Sequence, residues 1–304
     1  SMEYNYTAYS IGWLANKVIK KEKRAIVQYI FENTFYLNYG NDMVVVTRKN
    51  YPSPISIILS SDRQEKPFNK MLRIGGEAYT SKNTIKISNL VINIDSTETY
   101  RPRNLPDPDI ESLKVAKKIF HKLLKTVFIL YSCTPTKIPL FKTIEFKKFI
   151  DEVVYPFSRR QTDAIRDPEK YRILLGVGEG FTPSGDDFIL GFIVTVNSFN
   201  KLLSIRKIRL GEKLLLDSTA WVSAMYLKYT QLGIYDGRIE DFLSALLEGD
   251  EGMAIDTLIN IIERGHTSGL DISLGIITGL ACILEYLGDG GSLSKIMRYI
   301  ENFY

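Results

Sequence analysis

The alternation of apolar and polar positions changes character near residue 105. Before it, short β-branched and aromatic runs recur over 34–39, 43–46, 55–60, 84–87 and 90–94, each of strand length. Turn residues separate them: Gly40-Asn41-Asp42, Pro52-Ser53-Pro54 and Gly75-Gly76. The spacing leaves no room for crossover helices except over 13–20, which predicts an antiparallel sheet or small barrel. The stretch 100–108 then places Pro102, Pro106 and Pro108 among charged residues. It can continue neither a helix nor a central strand. The expected division is a β-rich domain over 1–105 and a helical domain over 106–304.

Beyond that point the apolar positions take helical spacing. Over 109–132 they fall at Leu113, Ala116, Phe120, Leu123, Leu124 and Val127. A helix over 144–155 is expected to stop at Pro156. Further helices are expected over 186–203, 210–232, 238–248, 253–264, 270–287 and 292–303. Gly233, Gly249, Gly265 and Gly288 stand where C-terminal caps belong. The fold class is α+β: an antiparallel, barrel-like β-rich domain, then a mainly helical one.

The run Leu174-Leu175-Gly176-Val177-Gly178-Glu179-Gly180-Phe181-Thr182-Pro183-Ser184-Gly185-Asp186-Asp187 is where chemistry concentrates. Gly176, Gly178 and Gly180 let the backbone approach a ligand and take positive φ. Thr182 or Ser184 is placed to cap the helix that follows, with Pro183 suited to its start. The amides of a helix start favour phosphate or carboxylate. Asp186 and Asp187 are candidate catalytic groups, and equally suit the first turn of a helix electrostatically. The run is not a Walker loop, since no Gly-Lys-Ser/Thr follows, and it lacks the dinucleotide glycine spacing.

A second run, Gly265-His266-Thr267-Ser268-Gly269-Leu270-Asp271, precedes another apolar helix. Residues 184–191 align with 268–275: both read Ser-Gly-x-Asp, an apolar residue, any residue, Leu, Gly. Gly191 and Gly275 share a helix face with the aspartate four residues earlier, which predicts close helix contact there. The two helix starts are expected to converge on one ligand as a pseudo-repeat. His266 is a candidate for anion binding or proton movement, or a residue of an ordinary helix cap. Asp186, Asp187 and Asp271 offer hard oxygens, so Mg²⁺ is the candidate cofactor, with Asp186 and Asp187 as its candidate ligands. Thr219 and Ser223, one helical turn apart, would share a face.

Composition narrows the function class. A formal net charge of +4, spread along the chain apart from the basic run 17–24, fits solubility and excludes nucleic acid as the expected partner. Cys133 and Cys282 sit in apolar surroundings, where buried inert thiols are expected. His121 lies among lysines and reads as surface. Apolar runs such as 188–196 are too short to cross a bilayer, and the start carries no signal-peptide pattern. Ser1 ahead of Met2 reads as a remnant of tag removal. A cytoplasmic protein without a membrane partner is expected.

At these residues the chain resembles the AllH family, which includes a subunit of oxamate carbamoyltransferase. The family signature Gly-x-Gly-x-Gly-Leu-Thr-Pro-Ser-Gly-Asp-Asp-Phe-Leu-x-Gly is similar to Gly176 through Gly191, departing at Phe181 and at Ile189 or Leu190. Its later Gly-His-Thr-Ser-Gly-x-Asp element is similar to Gly265 through Asp271, and 218–223 is a weaker third match. The resemblance spans the helical half. It implies carbamoyl transfer in purine-ureide breakdown, with oxalurate and phosphate exchanging with oxamate and carbamoyl phosphate, in an enzyme that needs other protein subunits. It implies Asp186, Asp187, His266 and Asp271 as catalytic residues. Gly176, Gly178, Gly180, Thr182, Ser184, Gly185, Thr267, Ser268, Gly269, Thr219 and Ser223 would bind the substrate or phosphate. The residues leave two alternatives open: a non-catalytic anion-binding or regulatory subunit, and an Mg²⁺-dependent phosphotransfer enzyme.

Overall fold

The computed structural model describes residues 2–60, 66–95, 97–135 and 138–304. The chain divides into two compact units, Ser1–Arg103 with Tyr235–Gly237, and Asn104–Ile234 with Arg238–Tyr304.

The first unit contains β1 (Tyr4–Gly12), α1 (Trp13–Lys21), β2 (Arg24–Ile30), β3 (Thr34–Asn38), β4 (Met43–Thr47), β5 (Ser56–Leu59), β6 (Glu77–Ser81), β7 (Thr84–Ile87), β8 (Leu90–Asn93) and β9 (Glu98–Tyr100). The order β5-β4-β3-β2-β6-β7-β8-β1 closes through β1–β5 into an eight-stranded barrel, with β9 extending along β1 beyond β8. The pairings are mostly antiparallel. Three are parallel, β1–β8, β1–β9 and β4–β5, which hairpin reasoning did not anticipate. β1 is the first strand and slots between strands far along the chain, so no tight turn sets its direction. Strand alternation fills the barrel: Ile85 and Ile87 point in while Lys86 points out. Phe35, Val46, Ile57, Phe68 and Ile92 share one core with Ala15, Val18 and Ile19 of α1. β1, β2, β6 and β9 are strands that the apolar runs alone did not mark.

The second unit is helical: α2 (Ile110–Ser132), α3 (Ile144–Phe149), α4 (Tyr155–Ser158), α5 (Asp163–Arg166), α6 (Ser184–Ser198), α7 (Asn200–Leu203), α8 (Glu212–Ser218), α9 (Trp221–Thr230), α10 (Gly237–Glu248), α11 (Glu251–Ile262), α12 (Ser268–Tyr286) and α13 (Ser292–Glu301). α2 starts at a capping box, in which Asp109 and Ser112 exchange side-chain and backbone hydrogen bonds. Gly233, Gly249, Gly265 and Gly288 all take positive φ at or just beyond helix ends. Buried almost all round, α6 and α12 form the centre, with α2, α4, α11 and α13 packed on α12 and α9 on α6.

Several helix boundaries differ from expectation. Pro156 does not stop its helix. A π-helical turn over Ile150–Val154 absorbs the missing donor, and α4 continues beyond it. The helix expected over 210–232 breaks at Thr219 and Ala220, which are extended. The one expected over 186–203 breaks at Phe199. Among the described residues α12 alone is long and apolar enough to cross a bilayer, contrary to the reading of apolar run lengths. It is instead an interior helix, with 89% of its most apolar window buried within the protein. Cys282 is buried, but Cys133 is exposed because it caps the end of α2.

Candidate functional site

The site begins with how α6 and α12 approach each other. A Cβ on Gly191 would lie 2.0 Å from the Ile272 carbonyl oxygen, and one on Gly275 would lie 2.1 Å from that of Phe188. The two contacts are reciprocal under the alignment of 184–191 with 268–275, since Phe188 corresponds to Ile272. They form an internal pseudo-twofold of the isologous kind. One turn further on, Gly279 meets the side chain of Thr195, its own counterpart. Ring contacts of Phe146 and Phe149 with Phe188, at 5.3 and 5.9 Å, fix the start of α6.

This packing brings the two helix starts together. Thr182 Oγ1 lies 3.0 Å from Ser268 Oγ, and the Thr182 hydroxyl donates to Asp187 Oδ2 at 3.1 Å. The Ser268 hydroxyl also faces Asp187 and that of Ser184 faces Asp271, so each aspartate meets the serine of the other run, and Asp271 Oδ2 is left without a hydrogen-bond partner among the described residues. Beneath them Tyr131 of α2 donates to Asp271 Oδ1 at 2.7 Å. The expected convergence of the two runs therefore holds at hydrogen-bond distance.

Electrostatically the pair is unusual. Burial holds the Asp187 carboxyl well above the ordinary range, and the neighbouring Asp271 adds to this, against the pull of Arg264, Ser268 and Thr182. Burial pushes Asp271 up to about 7, opposed by the hydrogen bond from Tyr131 and by the facing Ser184 hydroxyl. Both shifts run toward the protonated carboxyl, with burial as the leading cause. The Tyr131 phenol is raised well above its usual value by burial and by Asp271 and Asp187, so it stays a donor.

Asp186 points elsewhere. It accepts the Gly176 amide at 2.8 Å on Oδ1 and the Thr219 hydroxyl on Oδ2. Burial raises its pKa, and Thr219, the Gly176 amide and Ser223 oppose the rise. Asp186 thus ties the glycine loop to the α8–α9 junction. Gly176, Gly178 and Gly180 take φ of 79°, 103° and 108°, and a Cβ on Gly176 would lie 2.7 Å from Ser218 O, so this loop needs glycine there.

Residues 174–280 match the AllH family, described as oxamate carbamoyltransferase subunit AllH. No solved structure matches the chain. The AllH segment runs from Leu174 ahead of the glycine loop into α12 and contains both runs.

Within the AllH segment the layers are distinct. Gly176, Gly178 and Gly180 are exposed, Thr182, Ser184, Thr267 and Ser268 half-buried, and Gly185, Gly269, Asp186, Asp187, Asp271 and Ser223 buried. The capping role expected of Thr182 or Ser184 is not taken: Pro183 is the N-cap without a side-chain bond, because Thr182 turns to Asp187. The Gly185 amide is already bonded to Val177 O, and that of Gly269 to Arg264 O. Thr219 and Ser223 do not share one helix, since Thr219 is extended; Thr219 donates to Asp186, while the buried Ser223 hydroxyl has no hydrogen-bond partner among the described residues. His266 is exposed, and its one described side-chain hydrogen bond joins Nε2 to Pro135 O at 2.9 Å. Asp186 and Asp187 face different partners, and no cluster of three or more Asp, Glu, His or Cys side chains is set for a metal among the described residues. Sequence reasoning missed Tyr131 and Arg264. Tyr131 lies four residues after Val127 on the apolar stripe of α2, and a hydroxyl on such a stripe needs a buried partner. Arg264 falls at the end of an expected helix and carried no separate signal.

Proposed function

We propose that this chain is an AllH-type subunit of a carbamoyltransferase, in which the paired starts of α6 and α12 hold a small anion bearing an amide. Oxamate, oxalurate and carbamoyl phosphate are the class. The observation that carries the reading is the Asp187–Asp271 pair beneath a layer of hydroxyls, between two helix starts. Helix starts and the glycine loop suit the phosphate or carboxylate of such a ligand. A carboxylate accepts amide N–H, and a protonated carboxyl donates to an oxygen, so the pair suits the amide end.

In the transfer, the oxamate nitrogen attacks the carbamoyl carbon, a C–N bond forms and the C–O bond to phosphate breaks. The proton leaving nitrogen is taken by the carboxyl pair and passed to the departing phosphate. Orientation of both reactants supplies the rest of the acceleration. Partner subunits complete the enzyme, and the setting is cytoplasmic. His266, Thr267 and the exposed glycines form the outer, anion-facing layer. The deep burial of Asp187 and Asp271 favours a second reading, in which the chain binds the anion without turning it over. Mg²⁺-dependent phosphotransfer has no such support, because Asp186 and Asp187 address different partners.

The test is the urea unfolding midpoint of the purified chain at room temperature, with phosphate, carbamoyl phosphate, oxamate or oxalurate, each with and without Mg²⁺. A ligand at a hundred times its dissociation constant adds about 2.7 kcal/mol. Stabilisation by oxamate or carbamoyl phosphate, lost in Asp271→Asn and Thr182→Ala, supports the site. Turnover regained only with partner subunits supports the transferase over the binding reading. No stabilisation by any anion, alone or with partners, overturns both.

A further inference from the structure

The helical unit has a second place with the features of a ligand site, outside the AllH segment. α13 and its C-cap present Lys295, Arg298, Tyr299 and Asn302 at helical spacing on one face. These residues and His121 of α2 line a half-open cavity of about 330 Å³, a volume typical of small-molecule sites.

The cavity has an aromatic floor. The Tyr299 ring lies 5.3 Å from Phe128 and 6.4 Å from His121, and Phe128 continues to Phe141 at 5.2 Å. This packing holds the half-buried Tyr299 in place before any ligand arrives, which lowers the ordering cost of binding. The rim is cationic. Lys295 and Arg298 are exposed and have no acidic partner among the described residues. The nearby Lys117 and Lys118 of α2, by contrast, are paired with Asp289 at 3.1 Å and Glu251 at 2.9 Å. Among the described residues no carboxylate lines the cavity. Lysine, arginine and the asparagine amide all offer donors suited to a phosphate or carboxylate, while a flat ring gains by lying on Tyr299.

We propose that this cavity binds a small anion carrying a planar ring, with a nucleoside monophosphate as the class that fits its size and lining. Lys295 and Arg298 take the anionic group, and Tyr299 and His121 take the ring.

The chain has two histidines, so His121 is a built-in reporter. Its imidazole proton signals, assigned with His121→Gln, are followed while AMP, adenosine or inorganic phosphate is added to the full chain. AMP is expected to shift His121 saturably and leave His266 unmoved, with adenosine and phosphate each binding at least about tenfold more weakly. Lys295→Ala and Arg298→Ala are each expected to weaken AMP by about tenfold, the size of a lost charge-assisted contact. Both side chains are exposed, and unchanged His266 signals and melting temperature confirm that the variants fold. A His121 signal indifferent to millimolar AMP, or a response undiminished in the double variant, overturns the site. Phosphate binding as tightly as AMP overturns the ring's part in it. Movement of His266 instead would put the anion at the paired helix starts and overturn the proposal equally.

Discussion

The starts of α6 and α12 share a local sequence and a mode of packing, yet differ in what surrounds them. The positions they share are Ser184 and Ser268, Gly185 and Gly269, Asp187 and Asp271, Leu190 and Leu274, and Gly191 and Gly275. Gly185 and Gly269 pack on their own preceding segments, whereas the serines, aspartates and later glycines cross the pseudo-twofold: each serine faces the other run's aspartate, and each later glycine admits the other helix's backbone. Of the positions that differ, 186 and 270 face the individual surroundings. Asp186 anchors the glycine loop through Gly176 and reaches Thr219, whereas its counterpart Leu270 is buried apolar core. Mutual contact therefore accounts for the repeated serines, aspartates and later glycines, and local support accounts for Asp186.

The largest effect expected is at the crossing itself. Gly191→Ala and Gly275→Ala should each cost about 3 kcal/mol or more in urea unfolding, because a Cβ at 2.0 or 2.1 Å from a carbonyl oxygen forces the helices apart. The gain in helix propensity, about 1 kcal/mol, offsets only part of this. The double variant should cost less than the two singles combined, since both spoil one interface. A loss below about 1 kcal/mol at either glycine would break the symmetry argued above.

The carboxyl pair comes next. Asp271 is raised from 3.8 to about 7 in the folded chain, so between those values the folded state holds more protons than the unfolded one. Its contribution to stability is therefore greatest in acid and is lost as pH rises through about 7. Asp187, shifted in the same direction, adds to that slope. Asp271→Asn, which mimics the protonated acid, should flatten the fall in stability between about pH 4 and 7. Urea midpoints across that range measure it, and an unchanged slope in the variant would mean that Asp271 ionises freely.

A smaller effect separates the two surroundings. Thr219→Val leaves an Asp186 oxygen without its donor and should cost about 1.5–3 kcal/mol, while Thr182→Ala should cost about 1 kcal/mol, because Thr182 is half-buried and Ser268 remains beside Asp187. Equal losses in thermal unfolding would argue that Asp186 is no better anchored than Asp187. Smallest of all, His266→Ala should change stability by less than about 0.5 kcal/mol, since the ring is exposed and bonded only to a loop carbonyl among the described contacts. Its effect on anion stabilisation then reports the outer layer alone.

Much of this arrangement was legible in the chain. The glycines at 191 and 275 implied a close helix contact on the aspartate face, and Cβ positions near 2 Å from carbonyls are what that contact requires. The glycine caps, the start of α2 at Asp109 and the run of helices followed from spacing and capping chemistry. Thr182 and Ser184 misled because their local propensity is to cap, and a buried carboxyl outbid the helix end for the threonine hydroxyl, while Pro183 does stand at the helix start. Thr219 left its helix for a comparable reason, to reach Asp186.

The sequence by itself determined the β-then-α order, the two Ser-Gly-x-Asp runs, and the backbone freedom of the glycine loop, because these depend on residue type and near-neighbour spacing. Only the tertiary structure decided that β1 closes a barrel against β5 and β8, that Tyr131 reaches Asp271 across 140 positions, and that Asp186 and Asp187 turn to different partners. Those outcomes follow from which surfaces exclude water together. Burial also raised the pKa of two ordinary carboxyls, a shift that belongs to their environment and not to the residue type.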